Sequence, residues 1–237
     1  MAETLFNLQE NYMKKIFLTA SLLMASFAHG SNIESMSFQE LKDEIIKIAA
    51  DNTERLDNFA EVRSQLQPLV EELANRGNQS VEERVEGKIG SWQQLWTDDS
   101  DDTRPNNFFS TLDRSRTFQI IDADGFFYNV SEIKTRVGLK ATAFLRGTYE
   151  KQGDGIRIKF TNLDLKALGT KNITETVYKL EENEEKFFSA TRFSKYPRGP
   201  VGAEGYIDTV YVDDEMRVDF GYNTADEILD LFVLVRL

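Results

Sequence analysis

The sequence predicts a mainly β protein (α+β): an N-terminal helical segment over 31–87, followed over 88–237 by an antiparallel structure of about eight strands. Two observations carry this. Apolar residues recur at three- and four-residue steps up to Gly77, and at two-residue steps after Gly87. The period-two runs are separated by turn signals, with no helical stretch between them. Seven to nine short strands so arranged form a sheet closed into a barrel or folded as a sandwich. With 237 residues, 41% hydrophobic and 29% charged, the composition is globular and suffices for one such domain with a helical annex.

Residues 1–30 read as a leader. In "MKKIFLTASLLMASFAHGS", Lys14 and Lys15 follow Met13, an apolar stretch runs from Ile16 to about Phe27, and the small residues Ala28 and Gly30 lie two apart. A basic start, a short apolar core and a small-residue site make a secretory signal over 13–30, with cleavage expected after Gly30. Its core is too short to span a bilayer. Residues 1–12 fit no secretory start, so the expected true start is Met13. The expected destination is the periplasm or the medium.

The leader contains His29, the only histidine, and the chain has no cysteine. The chain beyond Gly30 therefore lacks the residues for Ser-His-Asp or Cys-His nucleophiles and for thiolate or imidazole zinc sites. Disulfides and a cysteine-linked lipid anchor are excluded as well. A net charge of -12 argues against nucleic-acid binding. No cofactor is indicated, and the expectation is a non-catalytic protein.

In the helical segment, Phe38, Leu41, Ile45 and Ile48 form one stripe and Leu56, Phe59, Leu66, Leu69, Val70 and Leu73 another. Ser37 with Glu40 in "SFQE" is a capping-box signature. "NRG", Asn75 to Gly77, reads as a helix stop with Gly77 left-handed. Pro68 predicts a kink or a new helix at that point. The strand-like runs are "SWQQLW", "TFQIID", "FFYNVSEIK", "KATAFLRGTYEK", "GIRIKFTNLDL", "TVYKLE", "EGYIDTVYVD", "EMRVDFG" and "DLFVLVRL".

Several polar stretches compete for a chemical role. "TDDSDD", Thr97 to Asp102, groups four aspartates but lacks the ligand spacing and closing glutamate of a calcium loop. "DADG", Asp122 to Gly125, sits between strands and reads as a hairpin turn. Neither predicts a metal site. No carboxylate pair is singled out for glycosidase-type chemistry. "RFSKYPRGPVG" is a basic loop in which Arg192, Lys195 and Arg198 alternate with Phe193 and Tyr196; these three cations are candidates for contact with an anionic head group at a barrel mouth, beside the plainer reading of a loop with scattered charges, and peripheral membrane contact is a candidate partner interaction. In "YVDDEMRVDFG", alternation puts Met216, Val218 and Phe220 on one strand face and Arg217 and Asp219 on the other. Asp213 and Asp214 fall in the preceding turn, and Arg217 with Asp219 reads as a surface or barrel-end ion pair of small net value.

"GSW", Gly90 to Trp92, opens the first β segment straight after the helices, where lipocalin-type barrels carry a G-x-W element. Together with "GSWQQLWTDD", the pair "FQIIDADGFFYNV" and the closing "DTVYVDDEMRVDFGYNTADEILDLFVLVRL", it resembles the plastid lipid-associated protein family, or fibrillins, in patches from Phe38 to Leu237. The C-terminal element is the most specific, supplying Tyr211, Asp213, Asp214, Arg217, Gly221, Phe232, Val233, Leu234 and Arg236. There are departures: Phe220 stands where an arginine is usual, "TADEI" is an insertion, Ala167 to Glu185 matches poorly, and the leader is not of plastid type.

The resemblance implies a lipocalin-like barrel that binds a hydrophobic small molecule such as a lipid, fatty acid or isoprenoid, while with a leader not of plastid type a thylakoid or plastoglobule role does not carry over. It implies closure of the barrel by Gly90, Trp92, Arg217 and Arg236, with Trp92 stacked on an arginine. The expected lining is Trp92, Trp96, Phe144, Tyr149, Ile158, Phe160, Phe232 and Leu234. A filled barrel with a structural or interaction role uses the same residues and remains open, and a carboxylate-dependent hydrolase is the further alternative.

Overall fold

A computed structural model describes residues 33–55, 57–99, 110–135, 140–167, 201–223 and 229–237. Residues 1–35 and 36–237 form two separate units, and in the first Ile33–Ser35 make a single 3-10 turn. Among the described residues the second unit carries three helices, α1 (Phe38–Asp51), α2 (Phe59–Gly77) and α3 (Val81–Gly87). These precede eight strands: β1 (Gly90–Thr97), β2 (Ser110–Ile121), β3 (Phe126–Thr135), β4 (Lys140–Gln152), β5 (Gly155–Ala167), β6 (Glu204–Val212), β7 (Met216–Asn223) and β8 (Asp230–Arg236). Every strand pairs antiparallel with its sequence neighbour, and β1 pairs with β8, so the sheet is a closed barrel. The run "TVYKLE" lies outside the described residues.

The helices begin as their sequences direct. Ser37 Oγ accepts from the Glu40 amide at 3.2 Å while Glu40 accepts from the Ser37 amide at 2.6 Å. Ser80 and Glu83 repeat this box at the start of α3, at 3.2 and 2.7 Å. Two expectations are narrowed or corrected. Pro68 lies inside a continuous α2, so of the kink or new helix expected there the new helix is ruled out. The left-handed residue at the end of α2 is Asn78, φ 44°, and not Gly77. Gly77 serves a different need: a Cβ there would stand 3.0 Å from the Tyr211 ring, which α2 approaches closely.

The pairing register separates the two faces of the barrel, because directly opposed residues share a face. Ile121 and Phe127 of β2 and β3 pack with Ile156, Ile158 and Ile207 of β5 and β6. Those strands are not neighbours around the ring on that side, so their contact runs through the interior. Tyr211, Met216, Val218 and Val233 face outward, where Gly77 and Phe38 meet Tyr211. The helices thus cover the β6–β7–β8–β1 side from outside, with Leu41, Ile45, Leu66 and Leu73 fully buried.

Polar ties hold the helices there. Lys42 reaches Asp213 at 2.6 Å and Glu215 at 2.5 Å in the β6–β7 turn. Gln79 accepts from and donates to the Val212 backbone, at 3.0 and 2.5 Å. Arg63 binds Asp98 at 2.6 Å, and Asp98 also accepts from the Leu231 amide at 2.7 Å. Of the four aspartates in "TDDSDD", Asp98 is therefore committed to fastening α2. "DADG" is the expected turn, with Asp122 Oδ1 accepting from the Asp124 amide at 3.1 Å and Gly125 at φ 89°.

Candidate functional site

The short connections β2–β3, β4–β5 and β6–β7, the start of β1 and the end of β8 all lie at one end of the barrel. That end is closed by a stack around Trp92. Its indole is fully buried and donates from Nε1 to the Lys88 carbonyl at 2.8 Å. The guanidinium of Arg236 lies 4.3 Å from the ring centroid and that of Arg217 lies 5.1 Å from it. Arg236 in turn donates to the Gly87 carbonyl at 3.1 Å and to the Ile89 carbonyl at 3.4 Å, tying the end of α3 to the last strand. Gly90 is needed twice over: its φ is +136°, and a Cβ would lie 2.7 Å from Arg236 Nη1. Val212, Leu234 and Phe232 complete this cluster with Trp92.

Beside the stack the interior is polar. Arg217 and Asp219 are both fully buried and face inward beside the closed end, so of the surface or barrel-end pair expected from the sequence the surface placement is ruled out. Arg217 Nε donates to Asp219 Oδ2 at 2.8 Å, and Arg217 Nη2 donates to Gln119 Oε1. Thr209 Oγ1 donates to the other Asp219 oxygen at 2.6 Å. The contact between Arg217 on β7 and Gln119 on β2 again crosses the barrel. Burial lowers the pKa of Arg217, against the pull of Asp219. Lys88, also fully buried, has its ammonium pushed down to about 8 by burial, opposed chiefly by Asp219. Burial raises Asp208 to about 6.

The interior therefore has two sides. The apolar side carries Ile121, Phe127, Ile156, Ile158 and Ile207 with Tyr149 and Phe160 against them. The polar side carries Arg217, Asp219, Gln119 and Thr209. On three strands the inward side chains become smaller from the closed end toward the other: Ile121, Gln119, Thr117 on β2; Phe127, Asn129, Ser131 on β3; and Arg217, Asp219, Gly221 on β7. On β6 the order is Val212, Thr209, Ile207, Gly205 and on β4 it is Tyr149, Gly147, Leu145, Ala143, while β5 stays bulky through Ile156, Ile158, Phe160 and Leu163. Phe232 lies over Gly221, where a Cβ would stand 2.5 Å from its ring.

Of the expected lining residues, Trp92, Tyr149, Ile158, Phe160, Phe232 and Leu234 face inward. Tyr149 is further tied down, its hydroxyl donating to the Asp122 carbonyl at 2.7 Å. Trp96 and Phe144 do not line the interior. A bulge between Gln94 and Trp96 reverses the face of β1, so that Trp96 pairs with outward Val233 and meets Phe59 of α2, ring centroids 6.3 Å apart. Phe144 packs outside with Phe118, Ile120, Tyr128 and Val130 on adjacent strands. Arg192, Lys195 and Arg198 lie outside the described residues. Sequence reasoning missed Gln119, Thr209 and Lys88 as interior polar groups. Only Gln119 carried a signal, because it alternates with the apolar Phe118 and Ile120.

The closed end can be tested by substitution. Trp92→Ala is expected to lower the unfolding free energy by about 3–5 kcal/mol, since a large buried side chain with two cations packed against it is removed; an unchanged urea midpoint would contradict this placement. Lys88 binds fewer protons folded than unfolded between about 8 and the ordinary value of 10.5. Its cost to stability is therefore full below pH 8 and is relieved as the pH rises toward 10.5. Lys88→Met is accordingly expected to exceed the parent in stability at about pH 7, with the gap narrowing by about pH 10, as read by urea denaturation at each pH. A gap that stays constant with pH would show that Lys88 is not held in this depressed state.

The PAP_fibrillin family model matches residues 39–232, which span the helices and nearly the whole barrel. No curated protein and no solved structure matches the chain. The match includes the helix-to-barrel junction, the G-x-W element and the β6–β7 hairpin with its inward arginine, and by it the chain belongs to the PAP_fibrillin family, the lipid-associated family that its sequence resembles.

Proposed function

We propose that the protein binds and carries a hydrophobic small molecule, such as a lipid, fatty acid or isoprenoid, inside the barrel, without catalysis. The observation that carries this reading is the set of small inward residues beyond the closed end. Thr117, Ser131, Ala143, Gly205 and Gly221 lie there, with the Phe160 ring near Gly205 and the Phe232 ring over Gly221. Small side chains at these inward positions give room for a ligand, and the aromatic rings beside them give it apolar surface to bury, at roughly 25 cal/mol per Å². Membership of a lipid-associated family agrees with it.

A second reading, a filled barrel with a structural or interaction role, is favoured by the cross-barrel packing of Ile121 and Phe127 on Ile156, Ile158 and Ile207. Native mass spectrometry and lipid extraction of protein from its own host separate the two. A co-purifying hydrophobic ligand is expected, and Ala143→Phe should weaken binding of a fluorescent fatty acid by about tenfold or more by filling the space. Ligand-free protein with no affinity for such probes would favour the filled barrel. Affinity unchanged by Ala143→Phe would move the ligand out of the interior.

Export forms part of the proposal, on the basic, apolar and small-residue order of 13–30. The native protein is then expected to begin at Ser31 by intact-mass measurement, and a retained leader would refute export by this route.

A further inference from the structure

The carriage reading leaves open what kind of head group the ligand has, and the interior is not neutral on the point. Among the described residues, the cationic side chains Lys88, Arg217 and Arg236 gather at the closed end, and the fully buried carboxylate of Asp219 stands among them. Arg217 uses Nε on Asp219 and Nη2 on Gln119, while its Nη1 is buried without a hydrogen-bond partner among the described residues. A buried guanidinium N–H left without an acceptor is costly, and charged donors recover the most when an anionic oxygen meets them. Thr117 Oγ1 is likewise buried and unpartnered among those residues. It faces inward one step beyond Gln119 on β2, on the same polar side of the barrel. Its hydroxyl turns freely to donate. The amide of Asn129, opposite Gln119 on β3, has an unpartnered Oδ1 and presents Nδ2 instead when turned over.

Resting on the carriage reading, we propose that the ligand is a long-chain carboxylate whose head lies on the polar side of the interior, against Arg217 Nη1 and Thr117 Oγ1, with its chain running along the apolar side toward the other end. Three cations against the Asp219 carboxylate leave the closed end positive, which suits an anionic head, and the two unpartnered groups that can donate, Arg217 Nη1 and Thr117 Oγ1, match the two oxygens of a carboxylate. The two-sided interior accounts for orientation. A carboxylate cannot sit among Ile156, Ile158 and Phe127, and a hydrocarbon chain gains nothing against Arg217 and Asp219.

The test uses the full chain, stripped of lipid, with the neutral fluorophore N-phenyl-1-naphthylamine displaced by oleate, oleyl alcohol or dodecyl phosphate. Oleate is expected to displace the probe at a concentration about tenfold or more below that of the alcohol, as one charge-assisted hydrogen bond requires. Equal displacement by acid and alcohol would overturn the head-group assignment and leave carriage standing. Stronger displacement by dodecyl phosphate would overturn the carboxylate in favour of a phosphate head. Failure of every compound, the probe included, to bind would defeat carriage and this inference with it.

The pair Arg217→Gln with Asp219→Asn removes both charges together and is expected to bring the acid-to-alcohol ratio near one; a ratio unchanged from the parent would overturn the proposal. If that variant does not fold, oleate labelled with carbon-13 at its carboxyl decides the matter on the parent protein. Its bound carboxyl should titrate below the midpoint of the same acid in a neutral detergent micelle, and an equal or higher midpoint would sink the assignment.

Discussion

The indole of Trp92, with two guanidinium groups packed against its ring, is the contact on which the closed end depends. Arg236 comes from the last strand and Arg217 from the one before it, and the ring belongs to the first, so three strands meet through one side chain. The same indole donates to the Lys88 carbonyl, and Arg236 donates to the carbonyls of Gly87 and Ile89. Helix α3, the β1–β8 seam and the barrel floor are thereby a single structure. Removing the ring would leave the buried Arg217 and the half-buried Arg236 without the face they lie on, a heavier loss than that of an ordinary apolar side chain.

Burying Arg217 with Asp219 is expensive, because two charges lose their hydration and recover it only through good geometry. The geometry here is good. Both carboxylate oxygens of Asp219 accept a hydrogen bond and two of the three guanidinium nitrogens donate one. Replacing such a pair by well-packed hydrophobic residues is often neutral or stabilising, so stability alone gives little reason for it. Its inward position, opposite an apolar wall, makes the interior two-sided, and on the proposed carriage such an interior would orient an amphiphilic ligand.

Much of this architecture is legible in the sequence because the determinants are local. The change of hydrophobic period after Gly87 marks where helices give way to strands, and "SFQE" announces its capping box. Gly90, Trp92, Arg217 and Arg236 are brought together as the resemblance implies. The features that stayed hidden depend on pairing between distant segments. The bulge after Gln94 turns Trp96 outward, and strict alternation from Trp92 cannot anticipate an extra residue in the ladder. In β7 both faces are buried, one by the helices and one by the barrel, so polarity ceases to mark the solvent side and the Arg217–Asp219 pair resembles a surface feature. Phe144 misleads for a similar reason, since both faces of β4 carry apolar residues. Gly77, chosen from composition as the left-handed residue, is in fact reserved for the approach of Tyr211.

The seam between β1 and β8 also bears on how the barrel comes to exist. Each other pairing joins strands adjacent in the chain, whereas this one joins the first to the last. Contacts so far apart in sequence are entropically late, since the intervening chain must already be ordered for the loop to close at small cost. Until that moment β1 and β8 are open edges with unpaired amides and carbonyls, the kind of edge on which another chain adds a strand. Arg236, reaching across the seam to Trp92 and to the end of α3, is therefore a late clasp as well as a packing partner. The interval before it engages is when the chain is most exposed to joining a neighbour instead of itself.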